Sequence, residues 1–384
     1  MPRKRANGEG SIYQRKDGRW GYSFTYEGKQ INRAAPTQAE ATRRLREEIA
    51  KAEAGNYADP SKITVEGWLL RWLKEYAETS VRPSTLSTYQ GTVKNHLAPS
   101  LGKIRIQQLR LDQVQAFVNA QNHNGLSPST TRRHVVVLKT ALEQAKECRI
   151  ISHNPANGVK LPKRKKTEIE TLSREEVEKL LAVLPETTNG RAIRFILGTG
   201  LRVSELCGLR WCDLSKDGFT VNQITYTING QVLSEDEKQM LRICAEPKTE
   251  SGRRYIPFNP KTFVLTEMQR FQQKKDKIRA GEAWEGGEPG RGEQYVFATA
   301  TGKPSDRHNI GRTLRQAMKK AELKERGPHA LRHTFATLWV QRGQDIKTLS
   351  EILGHTKVSF TMQTYVHSSN EAKKQGMAGM VDII

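Results

Sequence analysis

The chain has 384 residues and a formal net charge of +22, so its length predicts two or three domains and its charge a polyanionic partner, nucleic acid first. No run of about 18 apolar residues, amphipathic anchor or secretory apolar segment occurs, which argues against a membrane partner and for a protein of the cytoplasm. The four cysteines, Cys148, Cys207, Cys212 and Cys244, lack paired zinc spacing and are too few for a disulfide framework.

Residues 1–10 (MPRKRANGEG) read as a flexible basic arm able to follow phosphates. From Ser11 to Ala34, β-prone runs separated by Lys16-Asp17-Gly18 and Glu27-Gly28-Lys29 predict a three-stranded antiparallel sheet. Thr37, with Glu40 three residues on, opens a helix that Gly55 stops. This sheet-plus-helix domain, 1–56, interleaves Arg15, Lys16, Arg19, Trp20, Tyr22, Tyr26, Lys29 and Arg33, a pattern suited to a DNA groove. The competing reading makes the aromatics a small core and the charges a solvated face.

After the boundary NYADPSK, residues 62–158 predict a four-helix bundle. Its first helix spaces Val65, Trp68, Leu69, Trp72, Leu73 and Tyr76 at three and four; the others span Ser84–Leu97, Arg110–Gln121 and Ser127–Cys148. Turn signals stand at Pro99–Gly102 and Asn122–Gly125. Lys94, His96, Lys103, Arg105, Arg132, Arg133, His134 and Lys139 are the basic positions expected outside, and together they suit DNA better than any one does alone. The linker 159–168 carries Lys160, Lys163, Arg164, Lys165 and Lys166, whose self-repulsion predicts an extended strap across a DNA backbone; a localisation signal is the alternative.

Residues 169–384 hold the groups for chemistry. Ser173 with Glu175 and Glu176 opens a helix, and Arg191–Gly198 begins the next element. In Thr199-Gly200-Leu201-Arg202-Val203-Ser204-Glu205-Leu206, Gly200 turns the chain, and Arg202 has a carboxylate partner one turn away in Glu205, as a plain structural ion pair also would. Gly218–Ile228 reads as one strand and Tyr255–Phe258 as another, with Lys248 before the turn Glu250-Ser251-Gly252 as a mobile proton donor. Lys238 and Lys261 flank the same region. Gly281–Gly292 reads as a surface loop. His329 and Arg332 share a cationic helix face, and a second helix through Ile346, Leu349, Ile352 and Leu353 stops at Gly354, just before His355. Tyr365 follows in a Thr-, Ser- and Gln-rich segment where a substrate is expected to reach it.

Five blocks occur in order: Thr-Gly-Leu-Arg-x-Ser-Glu-Leu, Pro-Lys-Thr-x-Ser-x-x-Arg, His-x-Leu-Arg-His-Thr-Phe-Ala, Leu-Gly-His and Thr-x-x-x-Tyr-x-His, spanning Thr199 to His367. In this the chain resembles the tyrosine recombinases, and its three-part layout is similar to phage and conjugative-transposon integrases. The resemblance implies a multidomain α+β fold: an arm-type DNA-binding domain, a helical core-site domain, and a mainly α catalytic domain with a small antiparallel sheet.

It implies, residue by residue, that Tyr365 attacks a DNA phosphodiester to give a 3′-phosphotyrosyl link, that Arg202 and Arg332 grip its non-bridging oxygens, and that Lys248 protonates the leaving 5′-oxygen. His329 then serves as acid or base near the tyrosine, His355 hydrogen-bonds the phosphate and Glu205 orients. No metal and no cofactor are expected. The implied partners are double-stranded DNA at core-type and arm-type sites, a homotetramer joined through the apolar C-terminal tail (Met377, Met380, Val381, Ile383, Ile384), and a DNA-bending or directionality protein. Docking of that tail on its own domain is the alternative. The expected function is integration and excision of a mobile element in a bacterial cell. A relaxing enzyme of the type IB topoisomerase kind and a non-catalytic DNA-binding regulator are the other classes.

Overall fold

A computed structural model describes residues 10–26, 28–53, 62–163, 170–229, 240–247, 249–287 and 294–365. The chain forms two compact units, Met1–Lys166 and Thr167–Ile384.

The first unit starts with β1 (Ser11–Gln14), β2 (Trp20–Tyr26) and β3 (Lys29–Ala35), an antiparallel meander with Tyr13 opposite Gly21 and Phe24 opposite Ile31. Side chains alternate across it, so Tyr22, Phe24 and Ile31 fall on one face and bury against Ala41 and Leu45 of α1 (Gln38–Glu53). The bundle follows. Helix α2 (Val65–Trp72) runs through a π-helical turn (Leu73–Ala77) to Ser80, and α3 (Pro83–Thr92) through another (Val93–Leu97) to Leu101. A turn was expected at Pro99, but the π-helical turn widens the coil just ahead of a residue that has no N–H to donate, and the helix continues. Helices α4 (Leu111–His123) and α5 (Pro128–Glu147) complete the bundle, with buried Trp68 donating Nε1–H to the Ala141 carbonyl at 2.7 Å.

The second unit begins with α6 (Arg174–Val183), whose Ser173 cap and Glu176 partner match the sequence signal, then α7 (Thr188–Thr199) and α8 (Val203–Gly208). The expected strand over 218–228 is broken at Asn222-Gln223 into β4 (Gly218–Val221) and β5 (Ile224–Asn229). These join different partners: β4 pairs with β7 (Arg254–Pro257), and β5 with β6 (Met240–Ala245), a strand the sequence reading missed. Two long helices, α9 (Pro260–Ala280) and α10 (Arg307–Lys320), also add to the expected elements. Last come α11 (Pro328–Gln341), α12 (Ile346–Leu353) and α13 (Val358–Tyr365). Ile193, Phe195, Ile196, Phe219, Phe297 and Leu331 lie in one core that fixes α7 and α11 behind the candidate site.

Candidate active site

Two left-handed glycines shape the backbone. Gly200 (φ +69°) ends α7 and turns the chain into Arg202; a Cβ there would lie 2.5 Å from the Phe335 ring. Gly354 (φ +64°) ends α12 and delivers His355; its Cβ would lie 2.7 Å from the Ser251 carbonyl oxygen. Both positions need a residue without a side chain.

The pair expected between Arg202 and Glu205 is present and is part of a larger cluster. Arg202 Nη1 donates to Glu205 Oε1 at 2.7 Å, and the Arg202 backbone N–H donates to Oε2 at 2.9 Å. Arg254 donates to the same two oxygens at 3.2 and 2.9 Å, and also to the carbonyls of Gly252 and Ile352. Arg332 Nη1 stands 3.9 Å from Oε2. Burial by itself would raise the Glu205 pKa, but Arg254 first, then Arg202 and Arg332, hold it at about 2.

Arg332, only 4% exposed, donates from Nη1 to the Gly200 carbonyl at 2.9 Å, and from Nη2 to the Leu353 carbonyl at 2.5 Å and His355 Nε2 at 3.1 Å. Burial, then Arg202, pushes its pKa down to about 9, with Glu205 opposing, so it stays charged at neutral pH. A guanidinium can only donate, which makes His355 Nε2 the acceptor and leaves Nδ1–H to donate to Thr361 Oγ1 at 2.8 Å. Burial and the charges of Arg332, Arg202 and Arg254 lower His355 to about 4, so it is neutral near pH 7. His329 stands exposed at the start of α11, and desolvation of its ring with the nearby Arg332 and Arg202 lowers its pKa.

Tyr365 departs from expectation. It is 6% exposed and packs with Ala336, Leu349 and Leu353, because α13 lies against α11 and α12 and its last side chain fills the gap. Its Oη lies 2.6 Å from Nδ1 of His333, a residue given no role from sequence. Burial raises the Tyr365 pKa, Arg332 and Arg202 opposing; burial, His329 and Arg332 lower that of His333. The phenol is therefore protonated and the imidazole neutral at pH 7.

A cleft of about 510 Å³ is lined by Arg202, Glu205, Thr249, Gly252, His355 and Lys357. A larger one, about 620 Å³, shares Pro247 and Thr249 but none of Arg202, Arg332, His329, His355 or Tyr365. Lys248 lies outside the described residues, although its neighbours Pro247 and Thr249 line the smaller cleft. Sequence reading missed Arg254 and His333. Both stand inside the quoted blocks, yet nothing in their spacing showed that they contact Glu205 and Tyr365.

The DNA-contact candidates fare unevenly. Tyr22 is a correction: it is 2% exposed and donates its hydroxyl to Glu48 Oε1 at 2.7 Å, because even-numbered β2 residues face α1. Trp20 is on that side too, half-buried against the same core. The open face carries Tyr13, Thr25, Gln30 and Asn32 instead. Lys16 and Lys29 are exposed, as are Arg15 and Arg19, which pair with Asp17 at 3.6 and 2.8 Å. His134, expected outside, is 4% exposed and stacked on His96 at 4.1 Å. Arg132 reaches the Pro162 carbonyl at 3.4 Å at the start of the linker; Arg133 and Lys163 are exposed. Arg164, Lys165, Lys166, residues 1–9 and the C-terminal tail fall outside the described residues. Among the described residues no helix is long and apolar enough to cross a membrane.

The model of the phage integrase family matches residues 170–372, from the start of the second unit to beyond Tyr365. The chain belongs to the phage integrase family. It is a tyrosine recombinase, an enzyme that cleaves and rejoins DNA. The integrase N-terminal SAM-like domain matches residues 64–121, within the helical bundle. This recombinase is 29% identical over 358 residues to a XerC-like tyrosine recombinase of Caldanaerobacter subterraneus subsp. tengcongensis, with 90% of each chain covered. It is 25% identical to an integrase of Saccharopolyspora erythraea, covering 94% of this chain and 93% of that one. In fold it is similar to the Tn1549 transposon integrase (aa 82–397) in complex with circular intermediate DNA, with a TM-score of 0.66, 23% identity, and 83% and 100% of the two chains covered. It is also similar in fold to the lambda integrase in a tetramer bound to a Holliday junction, with a TM-score of 0.56, 18% identity, and 96% and 99% covered.

Proposed function

We propose that this recombinase integrates and excises a mobile element by cutting DNA at a specific site with Tyr365 and holding the broken strand as a 3′-phosphotyrosyl ester. The observation that carries this is the convergence of Arg202, Arg332 and His355 at one cleft, with Tyr365 bonded to His333, the residue next to Arg332 on α11. Covalent capture conserves the phosphodiester bond energy, so rejoining needs no nucleotide cofactor.

Arg202 and Arg332 bind the non-bridging oxygens and stabilise the pentacoordinate charge. Three of the five Arg332 N–H donors already hold protein groups, which fixes the guanidinium before DNA arrives. Glu205 and Arg254 keep Arg202 in place. His355 bonds the phosphate through Nε2 once its ring proton has moved there from Nδ1, with the Thr361 hydroxyl then donating to Nδ1. Lys248 donates the proton that the leaving 5′-oxygen takes, and His329 lies at the rim as a second proton carrier. Tyr365 is buried without DNA, so binding has to open a path from the cleft to its hydroxyl.

The N-terminal sheet and helical bundle select arm-type and core-type sites, the basic linker 159–168 spans the backbone, and four copies joined through their C-terminal tails, with a DNA-bending protein, form the synapse. The setting is the bacterial cytoplasm, on the nucleoid. The test is a nicked suicide substrate carrying the element's end: wild-type protein forms a covalent adduct and Tyr365→Phe forms none. Adducts on random supercoiled DNA by a monomer would instead favour a relaxing enzyme, and adducts with the phenylalanine variant would remove Tyr365 from the role.

A further inference from the structure

The hydrogen bond between His333 and Tyr365 gives the nucleophile a partner of its own. His333 lies on α11 directly after Arg332, and its Nδ1 is 2.6 Å from Tyr365 Oη. The rings tilt at 47° with centroids 5.7 Å apart, a geometry that lets the imidazole edge point at the hydroxyl. The charged and titratable groups around the pair are His329 and Arg332 on the same helix, His355 after α12, and Arg202 ahead of α8. Three of these four hold other partners: Arg332 holds carbonyls and His355, Arg202 bonds Glu205, and His355 bonds Arg332 and Thr361. His333 is the described side chain in hydrogen-bond reach of the phenol.

We infer that His333 is the general base for Tyr365, taking the phenolic proton on Nδ1 as Oη attacks phosphorus. This rests on Tyr365 being the nucleophile, as proposed above. The step balances: Oη–P forms, P–O5′ breaks, the phenolic proton moves to His333, and the 5′-oxygen receives a separate proton from the acid at the cleft. On rejoining, the 5′-hydroxyl expels the phenol and His333 returns its proton. Neutral imidazole beside protonated phenol is the starting pair this needs, and base catalysis of this kind contributes about 10²-fold or more. While the proton stays shared, the same bond parks Tyr365 in its apolar site.

Adduct formation by the full-length protein on a suicide substrate tests this across pH, with Tyr365→Phe as a control for the nucleophile. His333→Ala removes the base. His333→Asn keeps a hydrogen-bond acceptor but cannot take a proton, and it carries the test if the alanine variant does not fold. Both are expected to lose about 100-fold at pH 7 while binding DNA as wild type does, and to regain rate tenfold per pH unit up to alkaline pH, where the wild-type rate has levelled off. Installing a fluorinated, more acidic tyrosine at position 365 should restore most of the lost rate, because a phenol that ionises unaided needs no base. A rate within threefold of wild type in the asparagine variant, or a loss that neither pH nor the acidic tyrosine relieves, overturns the inference. Adducts in the Tyr365→Phe control would instead overturn the assignment of the nucleophile.

Discussion

Arg254 and Glu205, 49 residues apart, form a two-pronged ion pair in which both carboxylate oxygens are held and neither side chain is more than 7% exposed. Arg202 and Arg332 approach the same carboxylate, so this buried anion organises three cations that would otherwise repel one another.

Cutting that pair is costly. Arg254→Met leaves a buried carboxylate with fewer partners and should lower unfolding free energy by about 3 kcal/mol, read from urea unfolding. Because the folded Glu205 pKa, about 2, is depressed below its unfolded value, the pair's contribution is complete above about pH 4.5 and fades as pH falls toward 2. A cost below about 1 kcal/mol at pH 7 would mean that Arg202 and Arg332 hold Glu205 without help.

Gly200→Ala acts through geometry alone. Its φ of +69° and a Cβ 2.5 Å from Phe335 force the turn to shift, moving the carbonyl that anchors Arg332. A stability loss of about 1–3 kcal/mol should accompany loss of cleavage, with DNA affinity held within about tenfold in gel-shift titrations.

Thr361→Val removes the acceptor that fixes the His355 proton on Nδ1. Nitrogen-15 NMR of the imidazole should then show a mixture of tautomers, and cleavage should fall about tenfold with unchanged DNA affinity. A single unchanged tautomer would show that Arg332 is enough to set it.

Within the sheet, Tyr22→Phe should cost about 1 kcal/mol through loss of the Glu48 bond and leave arm-site affinity unchanged. Lys16→Ala should leave stability unchanged and reduce the salt slope of arm-site binding by about 1. Equal effects of both on affinity would contradict the division of the sheet into a core face and an open face.

Burial, with His96 and Arg133 adding to it, lowers the His134 pKa to about 4. A depressed histidine is neutral in the fold and protonates first in the unfolded chain, so stability is full above about pH 6.5 and declines toward pH 4. Proton NMR titration should find this ring neutral at pH 5; an ordinary midpoint near 6.5 would contradict its burial.

The order of the five blocks identified the enzyme family, and the Asp-Gly turn, the Thr37 and Ser173 caps and the Trp68 spacing marked the sheet and most helices. These are local signals, written within a few residues by φ preferences, capping donors and helical period. The break at Asn222-Gln223, the missed β6 and the inward turn of Tyr22 and His134 were decided by pairing and packing between distant segments. The same holds for the site. The types and positions of Arg202, Arg332, His355 and Tyr365 were legible, but that Arg254 reaches Glu205, that His333 rather than His329 bonds Tyr365, and that Tyr365 is buried depend on how α11, α12 and α13 pack. A contact across 32 residues is fixed only by the angle between helices, and the sequence encodes that angle in the whole core rather than at either end.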